Sequence, residues 1–480
     1  GRGSAILPVM QSDAVSQTLD PETCRRARLS RDPRFDGEFY LGVITTGIYC
    51  RPVCPARLPA EKNVRYFRHA AQAAEAGFRP CLRCRPETAP DSPARAGSTT
   101  TVNRALTLIR GGALNEGSVP DLAERLGVGE RYLRKLFQRE LGLSPQAVAH
   151  NHRLLMARQL IAETGLPLID VAQAAGFGSV RRFNSAIQDA YGVPASAMRR
   201  RKSAGTRRDR VRLELRYRPP YDWEGVIDYF RRHAVTGVET VTDAHYARRT
   251  RLGSGYATLE VCPVARRDAL ELTLSLPETT NLMPIVTAVR RMFDLDANPA
   301  VIGESLSADP LLGPLIIENP GVRSPGCWNP AESAVRAIVG QQVSTAAARN
   351  ICGRFASACS VDAQQPVFPN PSEVAALSDD HFPMPTRRRD TLRALGEAGV
   401  DEHLLDTGKL AALPGVGPWT IAMVAMRGLG DPDVFPATDL GLVKAWEALG
   451  GSRKELATAQ KQWSPWRSYA ANLLWRSLPK

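Results

Sequence analysis

At 480 residues, with 43% hydrophobic and 23% charged side chains, the chain is long enough for about three domains and too apolar to be disordered. No run reaches the ~20 apolar residues of a membrane-spanning helix, and Gly1-Arg2-Gly3-Ser4 lacks the apolar core of a signal peptide and reads as an expression remnant. The net charge of +13 is uneven: the first 210 residues carry a net +14 and the remaining 270 a net −1, so the basic part is expected to meet a polyanion, most simply nucleic acid.

The first segment holds four of the nine cysteines in an ordered pattern. Cys50 and Cys54 have three residues between them, Cys81 and Cys84 two, and 26 residues separate the pairs. Pairs spaced this way meet at one zinc tetrahedron, each straddling a tight turn. Two disulfides are the alternative, but a chain without a secretion signal belongs where thiols stay reduced. Pro, Ser and Gly mark residues 87–97 as a linker.

From about Thr99 to Ala197 the pattern is helical. The stretch Val119–Phe137 reads as helix, turn at Gly127–Gly129 and second helix, and Leu168–Phe183 repeats the arrangement with its turn at Gly176–Ser179. Apolar residues at three- and four-residue spacing pair the helices. Glu130, Arg131, Arg134, Lys135 and Gln138 are left on one outer face, and Arg181, Arg182, Ser185 and Gln188 on the other. Two basic second helices in the basic half predict major-groove contact, where Arg grips guanine bidentately. The run Arg199–Arg210 is expected to be an exposed seam.

Strand-like alternation follows at Val211–Tyr217, Thr258–Val261 and Leu270–Leu276, predicting an α+β unit to about residue 298. From Pro299 the chain reads helical again. Leu413-Pro-Gly-Val-Gly-Pro-Trp-Thr420 is a glycine-rich turn in which Gly415 and Gly417 let backbone N–H groups bind a phosphate. Asp439 stands 24 residues after Gly415. Hairpin and aspartate together resemble the helix-hairpin-helix DNA glycosylase superfamily, and the alternative for Asp439 is a helix cap. Strand-cutting members carry a Lys after the turn; Trp419 stands there, and no C-terminal cysteine quartet for an iron–sulfur cluster is present. The expectation is therefore monofunctional hydrolysis, with Asp439 a buried carboxylate that stabilises an oxocarbenium-like sugar and positions water. Trp419 and Trp328 are candidates to stack on a flipped cationic base.

Residues 45–57, 63–65 and 76–86 resemble the zinc domain of the Ada family. Residues 99–198 resemble an AraC-type double helix-turn-helix. Residues 211–480 resemble AlkA, the 3-methyladenine DNA glycosylase family, including Gly340-Gln-Gln-Val-Ser344 and Trp463-Ser-Pro-Trp-Arg-Ser-Tyr469. The whole is similar to Ada–AlkA fusions. The resemblance implies a multidomain, mainly α architecture with α+β parts: a zinc and methyl-acceptor domain (1–90), the double helix-turn-helix (99–200), an AlkA-like α+β domain (211–298) and an all-α glycosylase domain (299–480). It implies that Cys50 is both ligand and acceptor of a methyl group from a DNA methylphosphotriester, with Cys54, Cys81 and Cys84 the other ligands of one Zn²⁺. It also implies double-stranded DNA and RNA polymerase as partners, a monomer, and a cytoplasmic place at the bacterial nucleoid. Gln342 matches the wedge position of AlkA, where a leucine usually stands. No Pro-Cys-His-Arg motif occurs, so repair of O6-methylguanine is not expected. A regulator with a silent glycosylase half is the competing expectation.

Overall fold

The computed structural model describes residues 20–86, 89, 100–199, 210–252, 255–276, 280–362, 365–399 and 405–478. The opening tetrapeptide and nearly all of the 87–97 linker and the 199–210 run lie outside the described residues.

The first unit opens with helix Pro21–Ser30, started by Asp20, whose carboxylate accepts from the N–H groups of Glu22 and Thr23. A small sheet follows, with strands β1 (Tyr40–Val43), β2 (Ile48–Cys50), β3 (Val64–Phe67) and β4 (Arg79–Pro80) in the order β3-β1-β2-β4. β1 is antiparallel to both neighbours and β4 runs parallel to β2. Gly42 in β1 is required there, because a Cβ would lie 2.9 Å from the rings of Phe67 and Phe78. The effect of this sheet is to bring Cys50, at the end of β2, beside the loop after β4.

The two predicted helix-turn-helix motifs are present. Val119–Arg125 and Glu130–Leu141 form the first, Leu168–Ala174 and Val180–Tyr191 the second, and the long helix Pro145–Glu163 joins them. Leu122, Leu133, Leu136 and Phe137 are buried in the first, Val171, Ala174, Phe183 and Ile187 in the second. Ser118 and Asp121 form a capping box at the start of Val119–Arg125, Ser179 ends the second turn by accepting from Arg182 N–H, and Glu130–Leu141 starts at Gly129 without a side-chain cap.

An antiparallel sheet then forms from β5 (Arg210–Arg216), β6 (Glu239–Val241), β7 (Tyr246–Leu252), β8 (Gly255–Pro263) and β9 (Ala269–Ser275), in the order β5-β9-β8-β7-β6. Alternation predicted β5, β8 and β9. It missed β6 and β7; in β7, Arg248, Arg249 and Arg251 leave no apolar alternation to find. Arg248 is instead fully enclosed with Glu332 at 2.9 Å, and Arg251 pairs with Glu373 at 2.6 Å. Partners from the distant helical part make these positions habitable.

The apolar core is continuous from Leu154 to Leu295, so the second helix-turn-helix packs directly on the sheet unit. Hydrogen bonds cross the same boundary: Gln159 Nε2 donates to Glu214 O at 3.0 Å and Leu282 N–H to Ala174 O at 2.9 Å. The zinc unit is held through Arg218 Nε, which donates to Asp36 O at 2.8 Å, and Asn298 Nδ2, which donates to Arg34 O at 2.9 Å. The remaining chain is helical, and Val235 and Val238 from the sheet unit share its core with Ile338 and Phe355. Among the described residues no helix is long and apolar enough to cross a membrane.

Candidate functional site

The four ordered cysteines converge. The Sγ atoms of Cys50, Cys54, Cys81 and Cys84 all lie within 4.8 Å of one another, and each residue is only 7–8% exposed. A tetrahedral ZnS₄ centre with bonds of about 2.3 Å has S–S edges of about 3.8 Å, so the cluster matches that donor set. All four are free thiols, which removes the disulfide alternative. Backbone turns shape the cage: Cys54 N–H bonds Arg51 O, and Cys81 N–H bonds Tyr49 O. Arg51 braces it from inside. Its N–H donates to Cys84 Sγ at 3.3 Å, its Nη1 to Cys84 O at 3.1 Å and its Nε to Asp36 Oδ1 at 2.7 Å. A buried cation held beside four sulfurs offsets the negative charge that thiolates bring.

Arg131, Arg134 and Lys135 are exposed on the first basic helix, and Arg181 and Arg182 on the second. Arg134 is also paired along its own helix with Glu130, at 2.7 Å.

The helix-hairpin-helix element joins Thr407–Ala411 to Pro418–Val424. Gly415 has φ +84°, and a Cβ there would strike Thr391 Oγ1, so only glycine fits. Gly417 faces open space, leaving its backbone accessible to a phosphate. Gln341 Nε2 donates to Gly415 O and to Thr420 Oγ1, both at 3.0 Å, tying this hairpin to the 340–344 turn. In that turn Gln342 is exposed with φ +54°. Its neighbours Gly340 and Val343 line the cavity described next.

The cavity measures about 920 Å³ and is lined by Asp439, Trp419, Trp475, Arg427, Tyr229 and His233, among others. Asp439 is the N-cap of helix Leu440–Ala448, its Oδ1 accepting from Leu442 N–H at 3.0 Å. The cap is not an alternative to a site role, because the same carboxylate accepts two indole N–H groups: Trp475 at 3.0 Å on Oδ1 and Trp419 at 2.9 Å on Oδ2. These donors fix the carboxylate plane at the cavity wall. Asp439 is half-buried, not the buried carboxylate expected, since one side opens to the cavity. Trp475 and Tyr229 sandwich Arg427, whose guanidinium lies 5.2 and 4.5 Å from their rings.

Trp328 departs from expectation. It does not line this cavity, which passes through its neighbour Cys327. The guanidinium of Arg248 lies over its ring at 5.0 Å, and Trp328 packs on the sheet core, so its faces are committed. Sequence reasoning also missed Trp475, six residues beyond the quoted Tyr469, and Tyr229 and His233, which sit on a helix of ordinary amphipathic pattern.

Comparison with known proteins agrees with this layout. The family described as the metal binding domain of Ada matches residues 23–87, a helix-turn-helix domain residues 122–201, and the AlkA N-terminal domain residues 212–329. A "Probable bifunctional transcriptional activator/DNA repair enzyme AlkA" of Mycobacterium tuberculosis is 42% identical, over 96% of this chain and 97% of that protein. "DNA-3-methyladenine glycosylase 2" of Escherichia coli is 31% identical over 54% of this chain and 95% of its own length. The "Bifunctional transcriptional activator/DNA repair enzyme Ada" of E. coli is 33% identical over 36% of this chain and 47% of its own. The chain belongs to the Ada–AlkA family, in which an Ada zinc module and helix-turn-helix are joined to an AlkA-type half. Its four-cysteine cluster is a zinc site.

Proposed function

We propose that this protein senses and repairs DNA alkylation with both halves of one chain. The glycosylase half excises N-alkylated purines such as 3-methyladenine by hydrolysis. The observation that carries this is Asp439, clamped by two indole N–H groups at the wall of a cavity next to the phosphate-binding hairpin. An alkylated purine is already cationic and leaves readily, so the carboxylate needs only to stabilise positive charge on the sugar and orient water. Trp419 stands where a Schiff-base lysine would, so water is the nucleophile. Gln342 fills the space vacated by the flipped base, and Gly415 and Gly417 bind the strand backbone.

In the zinc half, Cys50 Sγ attacks the methyl carbon of a methylphosphotriester. The S–C bond forms, the C–O bond breaks and the phosphodiester anion leaves. Zn²⁺ supplies a deprotonated yet nucleophilic thiolate. Backbone N–H groups of Ala56, Cys84 and Arg51 donate to Cys54, Cys81 and Cys84 respectively, which tempers those three sulfurs. Methylation removes one negative charge beside DNA and strengthens binding through the two basic helices. Promoter binding then recruits RNA polymerase to a monomeric activator, made of units 1–90, 99–200, 211–298 and 299–480.

Duplex DNA treated with a methylating agent tests both halves: released bases report excision, and mass spectrometry of the protein reports one methyl on Cys50. A methylated Cys50 without base release would favour a regulator whose glycosylase half is silent. The intact Asp439 clamp speaks against that reading.

A further inference from the structure

Two arginines flank the zinc cage, each directly after a ligand cysteine, and each reaches away from the metal to another part of the chain. Arg51, after Cys50, braces Cys84 and binds the Asp36 carboxylate through Nε at 2.7 Å and through Nη2. The carbonyl oxygen of the same Asp36 accepts from Arg218 Nε at 2.8 Å. Arg218 follows β5 and is 1% exposed; its Nη1 donates to Asp296 O at 2.6 Å and its Nη2 lies 3.4 Å from Glu38 Oε1. Its own carbonyl accepts at 2.7 Å from Arg323 Nη2, and Arg323 lines the large cavity. An unbroken series of contacts, Cys84–Arg51–Asp36–Arg218–Arg323, thus leads from the cage to the cavity wall.

Arg85, after Cys84, makes the second connection. Its Nη2 pairs at 2.6 Å with Glu163 Oε1 at the end of the long helix Pro145–Glu163, and Glu163 Oε2 accepts from Glu214 N–H in β5 at 3.0 Å. The segment from Glu214 to Arg218 is therefore gripped twice from the cage. The core of the first unit shows what keeps that grip: its cluster of nine buried residues includes the four cysteines themselves. Without the metal the sulfurs have nothing to hold them together, and Arg51 loses the sulfur and carbonyl of Cys84 that orient it. Asp36 then loses its brace, and Arg218 is left as an enclosed cation with an unpaired Nε. That state is costly and is relieved when the two surfaces part.

We propose that Arg218 couples the zinc cage to the glycosylase half: the metal-closed cage keeps the first unit docked on residues 214–218, and Arg218 in turn positions Asp36 and Arg51 against Cys84. Coupling of this kind runs both ways, so loss of zinc undocks the unit and loss of the Arg218 contact loosens the zinc. It depends on the zinc site alone and requires neither methyl transfer nor base excision.

Hydrogen–deuterium exchange of the full chain, zinc-loaded and after stripping with EDTA and phenanthroline, reads the first direction. Peptides covering 211–218 and 294–298 should exchange faster in the stripped protein, while the helices Leu440–Ala448 and Arg467–Ser477 stay protected. Zinc transfer to a chromophoric chelator reads the second direction. Arg218→Ala should speed release by about tenfold or more, the scale of one charge-assisted hydrogen bond. Arg218→Lys keeps the charge and should recover part of that loss. Asn298→Ala cuts the neighbouring contact to Arg34 O and should speed release by less, which carries the same reading if Arg218→Ala fails to fold. Stripping that opens the peptides around Cys50 and Cys84 but leaves 211–218 unchanged would overturn the coupling, as would release at the wild-type rate from the variants. Faster exchange throughout the chain would overturn it too, because the metal would then support the whole fold and not this contact.

Discussion

Asp439→Asn is the most informative perturbation of the excision site. Three N–H donors converge on this carboxylate: Leu442 and Trp475 on Oδ1, and Trp419 on Oδ2. An asparagine keeps one acceptor oxygen and replaces the other with a donor, so one indole faces an NH₂ group and loses its partner. The cap itself survives, because Asn caps about as well as Asp. The charge does not. A unit charge ~4 Å from a developing cation at an effective dielectric of ~20 is worth about 4 kcal/mol, or about a thousandfold in rate. Loss of a charge-assisted hydrogen bond costs about 1.5–3 kcal/mol and loosens the Trp419 ring as well. Single-turnover release of 3-methyladenine should therefore fall by at least ~10²–10³, with affinity for abasic-analogue DNA unchanged or improved and Cys50 methylation untouched. Borohydride should trap no covalent adduct with either protein, since Trp419 occupies the lysine position. Near-normal excision by the Asn variant would show that the charge at this carboxylate is not what the reaction uses.

The zinc centre should show four sulfur ligands at about 2.3 Å by X-ray absorption, and Cys81→Ser should release the metal and unfold the first unit. Replacing Arg181 and Arg182 together by Ala should weaken promoter binding and flatten its salt dependence by up to about two slope units, measured by titration at several salt concentrations. Asp294, which accepts from Ser324 N–H at 2.8 Å and from the Tyr469 hydroxyl at 3.2 Å, has its carboxyl pushed up to about 7 by burial, against the pull of Arg323. The folded state thus keeps a proton that the unfolded chain loses near pH 4, so the stability from this group is full below that pH and is lost as pH rises through about 7. Asp294→Asn should accordingly reduce the fall in melting temperature between pH 5 and 8.

Local spacing carried a large part of this protein in plain view. The Cys50/Cys54 and Cys81/Cys84 pairs and the two helix-turn-helix repeats are legible because each is set by chain geometry over a few turns, whereas the step from Gly415 to Asp439 is legible only through its resemblance to the glycosylase superfamily. Backbone turns, helical periodicity and glycine at positive φ leave their marks on neighbouring residues. The strand β7 was hidden, because its arginines look exposed until Glu332 and Glu373 arrive from other elements. Trp328 was equally misleading: only tertiary contact decides that Arg248 covers its ring and turns it from the cavity. The wall of Trp475, Arg427, Tyr229 and His233 is assembled from three separate helical stretches of the chain, and no periodicity in any one of them marks it. Sequence alone fixed which groups could do chemistry, since their identity and near neighbours are covalent facts. The folded structure decided which of them share one cavity, because packing sets burial, tautomer and hydrogen-bond partner together.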